Sequence, residues 1–309
     1  MRVAFCGLNL RNPVIAASGT FGYGIEFEDI LSLDRIGGFV TKGLSRQPMA
    51  GNPAPRILET ASGMINAIGL QNIGVQAFTA EKLPPLRRYP GTACIANVFG
   101  YTVDDYIAVI ARLNEAEGLH AYELNASCPN TKHGGLTFGA DPHQLAELVV
   151  RAKKEATRPL IVKLSPNVTS IPQMARVAEA AGADALSLIN TFVSLAIDVK
   201  TRRPRIANTT GGLSGPAIKP IALRMVWEAA RAVKIPVIGM GGIATPEDIV
   251  EFLLAGATAV QVGTASYADP RAVERLAKGL EHWCAHHHIQ KVTELTGSLQ
   301  LNSPTKEPH

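Results

Sequence analysis

One thiol stands out by its setting. Cys128 lies in the run Tyr122-Glu123-Leu124-Asn125-Ala126-Ser127-Cys128-Pro129-Asn130, where a short apolar stretch passes into polar, turn-forming residues. Pro129 fixes its own φ and disfavours helix at Cys128, so the strand ends and the next residues are presented on a loop. A thiol at the C-terminal end of a strand can serve as a base or nucleophile once its pKa is tuned. The bland alternative is a buried Cys acting as a small hydrophobe, and Cys6, Cys94 and Cys284 are read that way. Asn125 and Asn130 flank Cys128 with amide donors and acceptors. Two lysines, Lys42 and Lys163, also end apolar runs. Ile161-Val162-Lys163 reads as core up to the lysine, so its ammonium must find a partner. An anionic ligand or an electron-rich ring would serve, and so would a structural ion pair. Gly241-Gly242 and Gly263-Thr264 follow two late apolar runs, where glycine lets backbone N–H groups approach phosphate oxygens.

Positioning these groups takes a regular scaffold. Apolar runs of strand length (14–17, 38–41, 93–97, 121–124, 160–164, 185–189, 236–240 and 259–262) alternate with helix-length amphipathic stretches. The helices are expected over 26–32, 75–86, 102–117, 141–156, 171–181, 217–232, 245–254 and 270–282. Thr102 before Val103-Asp104-Asp105, Asp141 before Pro142 and Thr245 before Pro246-Glu247-Asp248 are helix-start signals. A hairpin is expected at residues 3–13. Two long insertions, 44–71 and 192–216, interrupt the alternation; the second is expected to hold a hairpin, and the first is too apolar around 66–72 for a linker and so reads as functional. Eight strands, each followed by a helix, predict an α/β fold, a (β/α)8 TIM barrel with insertions in the loops at its C-terminal rim. A doubly wound open sheet is the structural alternative. The boundaries predict one domain over 1–299, with 300–309 a disordered tail.

In such a barrel the C-terminal rim is where chemistry is placed. Ser18, Lys42, Asn97, Asn125, Lys163 and Asn190 would stand on it, with Gly241, Gly242, Gly263 and Thr264 after the seventh and eighth strands, where phosphate is often held. Gly215, closing the second insertion, is placed to join them.

Bulk composition excludes several classes. The chain has 309 residues, 46% hydrophobic, and a formal net charge of +4. Its lysines and arginines are dispersed, without the clustered stripe of a nucleic-acid binder. Four cysteines lie far apart with no Cys-x-x-Cys, which argues against zinc, a disulfide framework or iron–sulfur ligation. A reducing, cytoplasmic location is the default. No apolar run reaches the roughly 18 residues of a membrane span. His286-His287-His288 has no carboxylate at ligand spacing, so no metal is assigned.

The run Asn-Ala-Ser-Cys-Pro-Asn-Thr-Lys-His-Gly-Gly over 125–135 resembles the active-site loop of dihydroorotate dehydrogenases, and its Lys132-His133-Gly134-Gly135 end is similar to the class 1B catalytic subunit. Further similar motifs are Ala17-Ser18-Gly19-Thr20-Phe21-Gly22, Lys42-Gly43, Gly51-Asn52-Pro53, Asn66-Ala67-Ile68-Gly69-Leu70-Gln71-Asn72, Ile189-Asn190-Thr191, Gly211-Gly212-Leu213-Ser214-Gly215 and Gly239-Met240-Gly241-Gly242-Ile243. The resemblance spans residues 12–299 and implies an FMN enzyme of pyrimidine biosynthesis that oxidises dihydroorotate to orotate. By that resemblance Cys128 takes the proton from C5 while hydride leaves C6 for N5 of FMN. Ser18, Lys42, Gly43, Asn97, Asn125, Lys163 and Ile189 would line one FMN per chain. Gly215, Gly241, Gly242, Gly263 and Thr264 would hold its phosphate, and Lys163 would balance the negative charge of the reduced ring. Lys42, Asn66, Ala67, Ile68, Gly69, Leu70, Asn125, Asn190 and Thr191 would bind the substrate.

The class 1B likeness also implies a second subunit carrying FAD and an iron–sulfur cluster, two copies of each subunit, and NAD as final acceptor. This chain has no Gly-rich dinucleotide fingerprint of its own. Rival readings are a stand-alone class 1A-like enzyme reducing fumarate, and the pyrimidine-reducing domain of a dihydropyrimidine dehydrogenase. A ligand-binding barrel without catalysis would leave Cys128 without a purpose. A metal-dependent hydrolase would need His and Asp clusters at the strand ends.

Overall fold

The computed structural model describes residues 1–127 and 138–302. The chain opens with the expected hairpin, β1 (Val3–Phe5) against β2 (Leu8–Leu10). Strand β3 (Val14–Ala16) follows. The helix expected over 26–32 is absent; in its place are two single turns of 3-10 helix, Ile25–Phe27 and Leu33–Arg35. Seven residues without a side-chain cap are too few for a self-sustaining α-helix. The acid that would favour its first turn, Glu26, instead accepts from the Tyr23 amide and pairs with Lys82.

β4 (Gly38–Val40) leads into the first insertion, which holds a hairpin of β5 (Ile57–Thr60) and β6 (Gly63–Asn66) that the sequence did not announce. The expected helix over 75–86 runs as α1 (Gly74–Ala77), a π-helical turn Phe78–Lys82 and α2 (Leu83–Leu86). Pro84 and Pro85, which carry no N–H, sit in its first turn. Then come β7 (Ala93–Val98), α3 (Val103–Asn114), β8 (Ala121–Asn125), α4 (Pro142–Glu155), β9 (Leu160–Lys163), α5 (Ile171–Ala180) and β10 (Ala185–Leu188). The second insertion carries β11 (Phe192–Ser194), the small hairpin β12 (Ile197–Asp198) and β13 (Arg203–Pro204), and β14 (Gly211–Ser214). The chain continues through α6 (Lys219–Ala232), β15 (Val237–Met240), α7 (Pro246–Leu254), β16 (Ala259–Val262), α8 (Ala265–Ala268) and α9 (Ala272–His286), the last running past the expected end at 282. Thr102, Asp141 and Thr245 cap α3, α4 and α7 as their sequences predict.

Eight parallel strands close into a barrel in the order β3-β4-β7-β8-β9-β10-β15-β16, with β16 paired back to β3. This is the (β/α)8 barrel, and no open edge of a doubly wound sheet remains. Period-two alternation gives its wall two faces. Outward residues such as Val14, Ala96, Tyr122, Leu124, Val162, Leu186 and Val260 pack into the large cluster shared with the helices. Inward residues Ile15, Val40, Ile95, Ala121, Ile161, Ala185, Ile238 and Ala259 form a second cluster with Phe5 and Leu10 of the opening hairpin. That hairpin therefore plugs the N-terminal end of the barrel with apolar side chains. Among the described residues, no helix is long and apolar enough to cross a membrane.

Candidate active site

The same alternation dictates what lies one layer above the plug. Two residues further along five of the strands the inward positions are Asn97, Glu123, Lys163, Ser187 and Gln261, all buried. A polar layer inside a barrel is tolerable only if its groups satisfy one another, and Glu123 is the hub that does so. Its Oε1 accepts from Asn97 Nδ2 at 2.8 Å and lies 3.6 Å from Lys163 Nζ. Its Oε2 accepts from Ser187 Oγ at 2.9 Å and from Gln261 Nε2 at 2.6 Å. Gln261 Oε1, by contrast, is buried without a partner among the described residues.

Above this layer opens a cavity of about 1230 Å³ at the C-terminal end of the strands. It exceeds the roughly 300–1,000 Å³ of a site for one small ligand, so it has room for two bound molecules side by side. Its walls bring together the rim residues picked from the sequence: Ser18 after β3, Lys42 and Gly43 after β4, Asn97, Asn125 and Lys163 on β7, β8 and β9, and Ile189, Asn190 and Thr191 after β10. Gly215, Gly241, Gly242, Gly263 and Thr264 form one corner. Asn66, Ala67, Ile68, Gly69 and Leu70 enter from the first insertion. Cys128, with Asn130 and the Lys132-His133-Gly134-Gly135 segment, lies outside the described residues. The described chain reaches Ser127, whose amide donates to Asn125 Oδ1 at 3.2 Å.

The roof of the cavity is a sheet that neither insertion forms alone. The order β11-β14-β6-β5 joins the first insertion to the second, with Leu213 opposite Ile65 and Gly212 opposite Asn66. Asn66 Nδ2 also donates to the Gly212 carbonyl. The segment after β6 is folded back by Gly69 and Leu70, both at positive φ, an unfavoured conformation for a leucine. Asn52 ties it down, donating through Nδ2 to the Ala67 carbonyl and through its backbone to Ile68. On the opposite side Asn190 Nδ2 donates to Asn125 Oδ1, and the Thr191 amide donates to Asn190 Oδ1. The amide groups of Asn66, Asn125 and Asn190, from three separate segments, thus line one space.

Lys42 is held by its backbone amide, which donates to the Gly22 carbonyl. Burial, and next the Arg56 guanidinium, press its ammonium below the usual lysine range. A cation whose dominant charged neighbour is another cation is poised for an anion. In the glycine corner, Gly241 and Gly242 have φ of 131° and 78°, which a side chain would resist, and a Cβ on Gly242 would come 2.8 Å from the Gly215 carbonyl oxygen. Backbone therefore closes on backbone there. Thr264 Oγ1 donates to Ser214 Oγ at 2.8 Å, tying the end of β16 to the second insertion.

Comparison with known proteins gives this geometry a lineage. A family profile described as Dihydroorotate dehydrogenase matches residues 1–284. The chain belongs to the dihydroorotate dehydrogenase family. Among its relatives in that family, a protein of Solibacter usitatus provisionally named dihydroorotate dehydrogenase A (fumarate) is 62% identical over 301 residues, covering 97% of this chain and 99% of the relative. Proteins named dihydroorotate dehydrogenase B (NAD(+)), catalytic subunit, are 57% identical in Trichlorobacter lovleyi and 56% in Citrifermentans bemidjiense, each covering 97% of this chain and 98% of the relative.

Within this family member, reading by strand ends passed over Glu123, Ser187 and Gln261. They sit inside strands rather than after them. The available signal was a lone polar residue in an apolar run, Tyr122-Glu123-Leu124 and Val260-Gln261-Val262. A buried polar side chain needs a partner, and only the closed barrel shows that the partners are each other. Cys94 packs in the outer cluster, with burial pushing its thiol up to about 12. Burial and then Asp184 push Cys6 up to about 12 as well.

Proposed function

We propose that this chain oxidises dihydroorotate to orotate for pyrimidine biosynthesis, with FMN as the immediate electron acceptor. The observation that supports it best is the single cavity whose wall gathers, from every part of the chain, the rim and insertion residues expected to hold the two ligands. The groups present suit FMN. The glycine corner offers backbone N–H groups for a phosphate, as loops after the seventh and eighth strands of such barrels do. The floor offers Lys163 and Gln261, whose side-chain oxygen has no partner among the described residues, and the volume leaves space for a substrate beside the cofactor.

FMN, when bound, supplies a two-electron acceptor for a hydride leaving C6 of dihydroorotate. Cys128 is the base for the C5 proton, so that loss of proton and hydride leaves the double bond of orotate. Lys42, the Asn66–Leu70 segment, Asn125, Asn190 and Thr191 hold the substrate. Donors on several loops fix both the carboxylate and the ring, so the reacting C–H bond faces one direction. Lys163, on the cavity floor, would favour the reduced, more negative state of the cofactor through its ammonium. The joined insertion sheet would lie over the bound reactants.

Electrons then pass to a separate subunit with FAD and an iron–sulfur cluster and on to NAD, in an assembly of two copies of each chain. This reading is supported by the relatives named catalytic subunits and by the Lys132-His133-Gly134-Gly135 likeness. The exposed apolar residues Val193, Leu195, Ile197 and Val199 on the second insertion provide a surface suited to a partner. A stand-alone enzyme passing electrons to fumarate is the second reading, supported by the 62% identical relative of that name. One experiment tests both. The full chain, purified anaerobically, should be yellow and bleach when dihydroorotate is added. Reoxidation by fumarate without a partner selects the second reading; reoxidation by NAD only with the partner subunit selects the first. A colourless chain that cannot be loaded with FMN overturns the proposal.

A further inference from the structure

Gln261 and Glu123 have no place in the site as drawn from strand ends, yet the geometry gives both a task. A carboxylate only accepts hydrogen bonds. The amide group of Gln261 must therefore turn its nitrogen to Glu123, at 2.6 Å, and its oxygen away. Gln261 lines the cavity floor, and its oxygen is buried with no partner among the described residues. Leaving a buried acceptor unmet is unfavourable enough that a ligand donor is the natural answer.

The position says which donor. Gly263 stands two residues further along the same chain direction, about 7 Å toward the rim at the rise of a strand, in the corner assigned above to the phosphate. The part of FMN one such step inward from its phosphate is the polyol linker, whose hydroxyls are donors. Resting on the flavin reading above, we infer that Gln261 is a cofactor-binding residue whose side-chain oxygen accepts a hydrogen bond from a linker hydroxyl of FMN, and that Glu123 is the positioning residue that holds it in that orientation.

The four donors around Glu123 make its role separable. Lys163 and Asn97 approach Oε1, while Ser187 and Gln261 approach Oε2. In Glu123→Gln the new NH2 cannot face the Lys163 ammonium, which has nothing to accept with. It must face Ser187 and Gln261. Ser187 can accept through its hydroxyl, and Gln261 can accept only by rotating its amide, which turns an NH2 toward the linker in place of the oxygen. Glu123→Gln and Gln261→Met should therefore lose the same contact by different routes.

The test uses the full chain loaded with FMN or with a flavin phosphate whose linker is a plain pentyl chain. Release on dilution is followed by flavin fluorescence. In the unaltered protein the hydroxyl-free flavin should leave faster, by about tenfold for one buried hydrogen bond. In Gln261→Met that ratio should shrink several-fold, and in Glu123→Gln likewise. Because the ratio compares two flavins on one protein, general loosening of the fold moves both rates and leaves it unchanged. An unchanged ratio in Gln261→Met overturns the contact; a ratio that shrinks there and not in Glu123→Gln overturns the positioning role. A chain that retains neither flavin overturns the flavin reading and this inference with it, whereas retention of both with equal release overturns this inference alone.

Discussion

The ammonium of Lys163 lies 3.6 Å from the carboxylate of Glu123, both closed off from solvent inside the barrel. The separation is too long for a hydrogen bond. Coulomb attraction couples them, while Asn97, Ser187 and Gln261 supply the hydrogen bonds the carboxylate needs. Lys163 thus uses none of its donors in a hydrogen bond to Glu123. The pair brings a charge into the core without leaving it bare, and puts that charge at the floor of the candidate site.

Breaking the pair should be costly. Glu123→Leu leaves an uncompensated ammonium and unpaired donors, for an expected loss of about 3–5 kcal/mol. Adding Lys163→Met should recover part of that loss, because the second change removes the orphaned charge. Urea denaturation of both single variants and the double variant measures the coupling, and strict additivity would contradict it.

Lys42 predicts a pH dependence with a definite sign. Burial, then Arg56, lowers its pKa from the usual lysine value. The charged form attracts an anion, so orotate affinity should weaken as pH rises through that lowered value, at a pH where an ordinary lysine is still charged. Stability of the ligand-free chain should move the other way. The folded state binds fewer protons than the unfolded state between the two pKa values, so stability rises with pH across that window. Titration of orotate binding against pH, repeated with Lys42→Met, should show the limb in the native chain only.

The thiols should differ sharply in reactivity. Cys6 and Cys94, each pushed up to about 12, carry almost no thiolate near neutral pH. Iodoacetamide on the folded chain should leave both unmodified while labelling Cys128, and orotate should slow that labelling; peptide mass mapping reads the sites. Cys128→Ser should still bind FMN and dihydroorotate but reduce the flavin at least about 100-fold more slowly, the usual scale for a lost general base. Full rate in that variant would remove Cys128 from the chemistry.

The glycine corner makes a prediction about phosphate alone. In Gly242→Ala the new Cβ meets the Gly215 carbonyl at 2.8 Å on a backbone with φ of 78°. FMN affinity should fall by roughly tenfold or more for one lost charge-assisted contact. Riboflavin, which lacks the phosphate, should bind with little change. Fluorescence titration with both flavins distinguishes a local phosphate effect from a general one.

Much of this protein is readable along the chain because its signals are local. Strand periodicity, proline at helix starts and capping residues such as Thr102 and Thr245 depend on a few neighbouring residues, and the barrel follows from repeating them. Rim residues such as Lys42, Asn125 and Gly242 could be picked because a parallel barrel places strand ends at one face. The helix expected over 26–32 failed for the converse reason: its acidic residue was taken up by Tyr23 and Lys82, contacts that local propensity does not contain.

The sequence by itself therefore determined the barrel, the face that carries the site and most residues on its rim, since each follows from short-range pattern and one rule of topology. Only the tertiary structure decided that two insertions, whose nearest paired residues Asn66 and Gly212 lie 146 positions apart, join through β6 and β14 into one roof. Only it decided that Glu123, Ser187 and Gln261, on three strands, satisfy one another inside the wall. Backbone pairing and buried hydrogen bonds between distant segments depend on register and closure, and nothing in the composition of either segment names its partner.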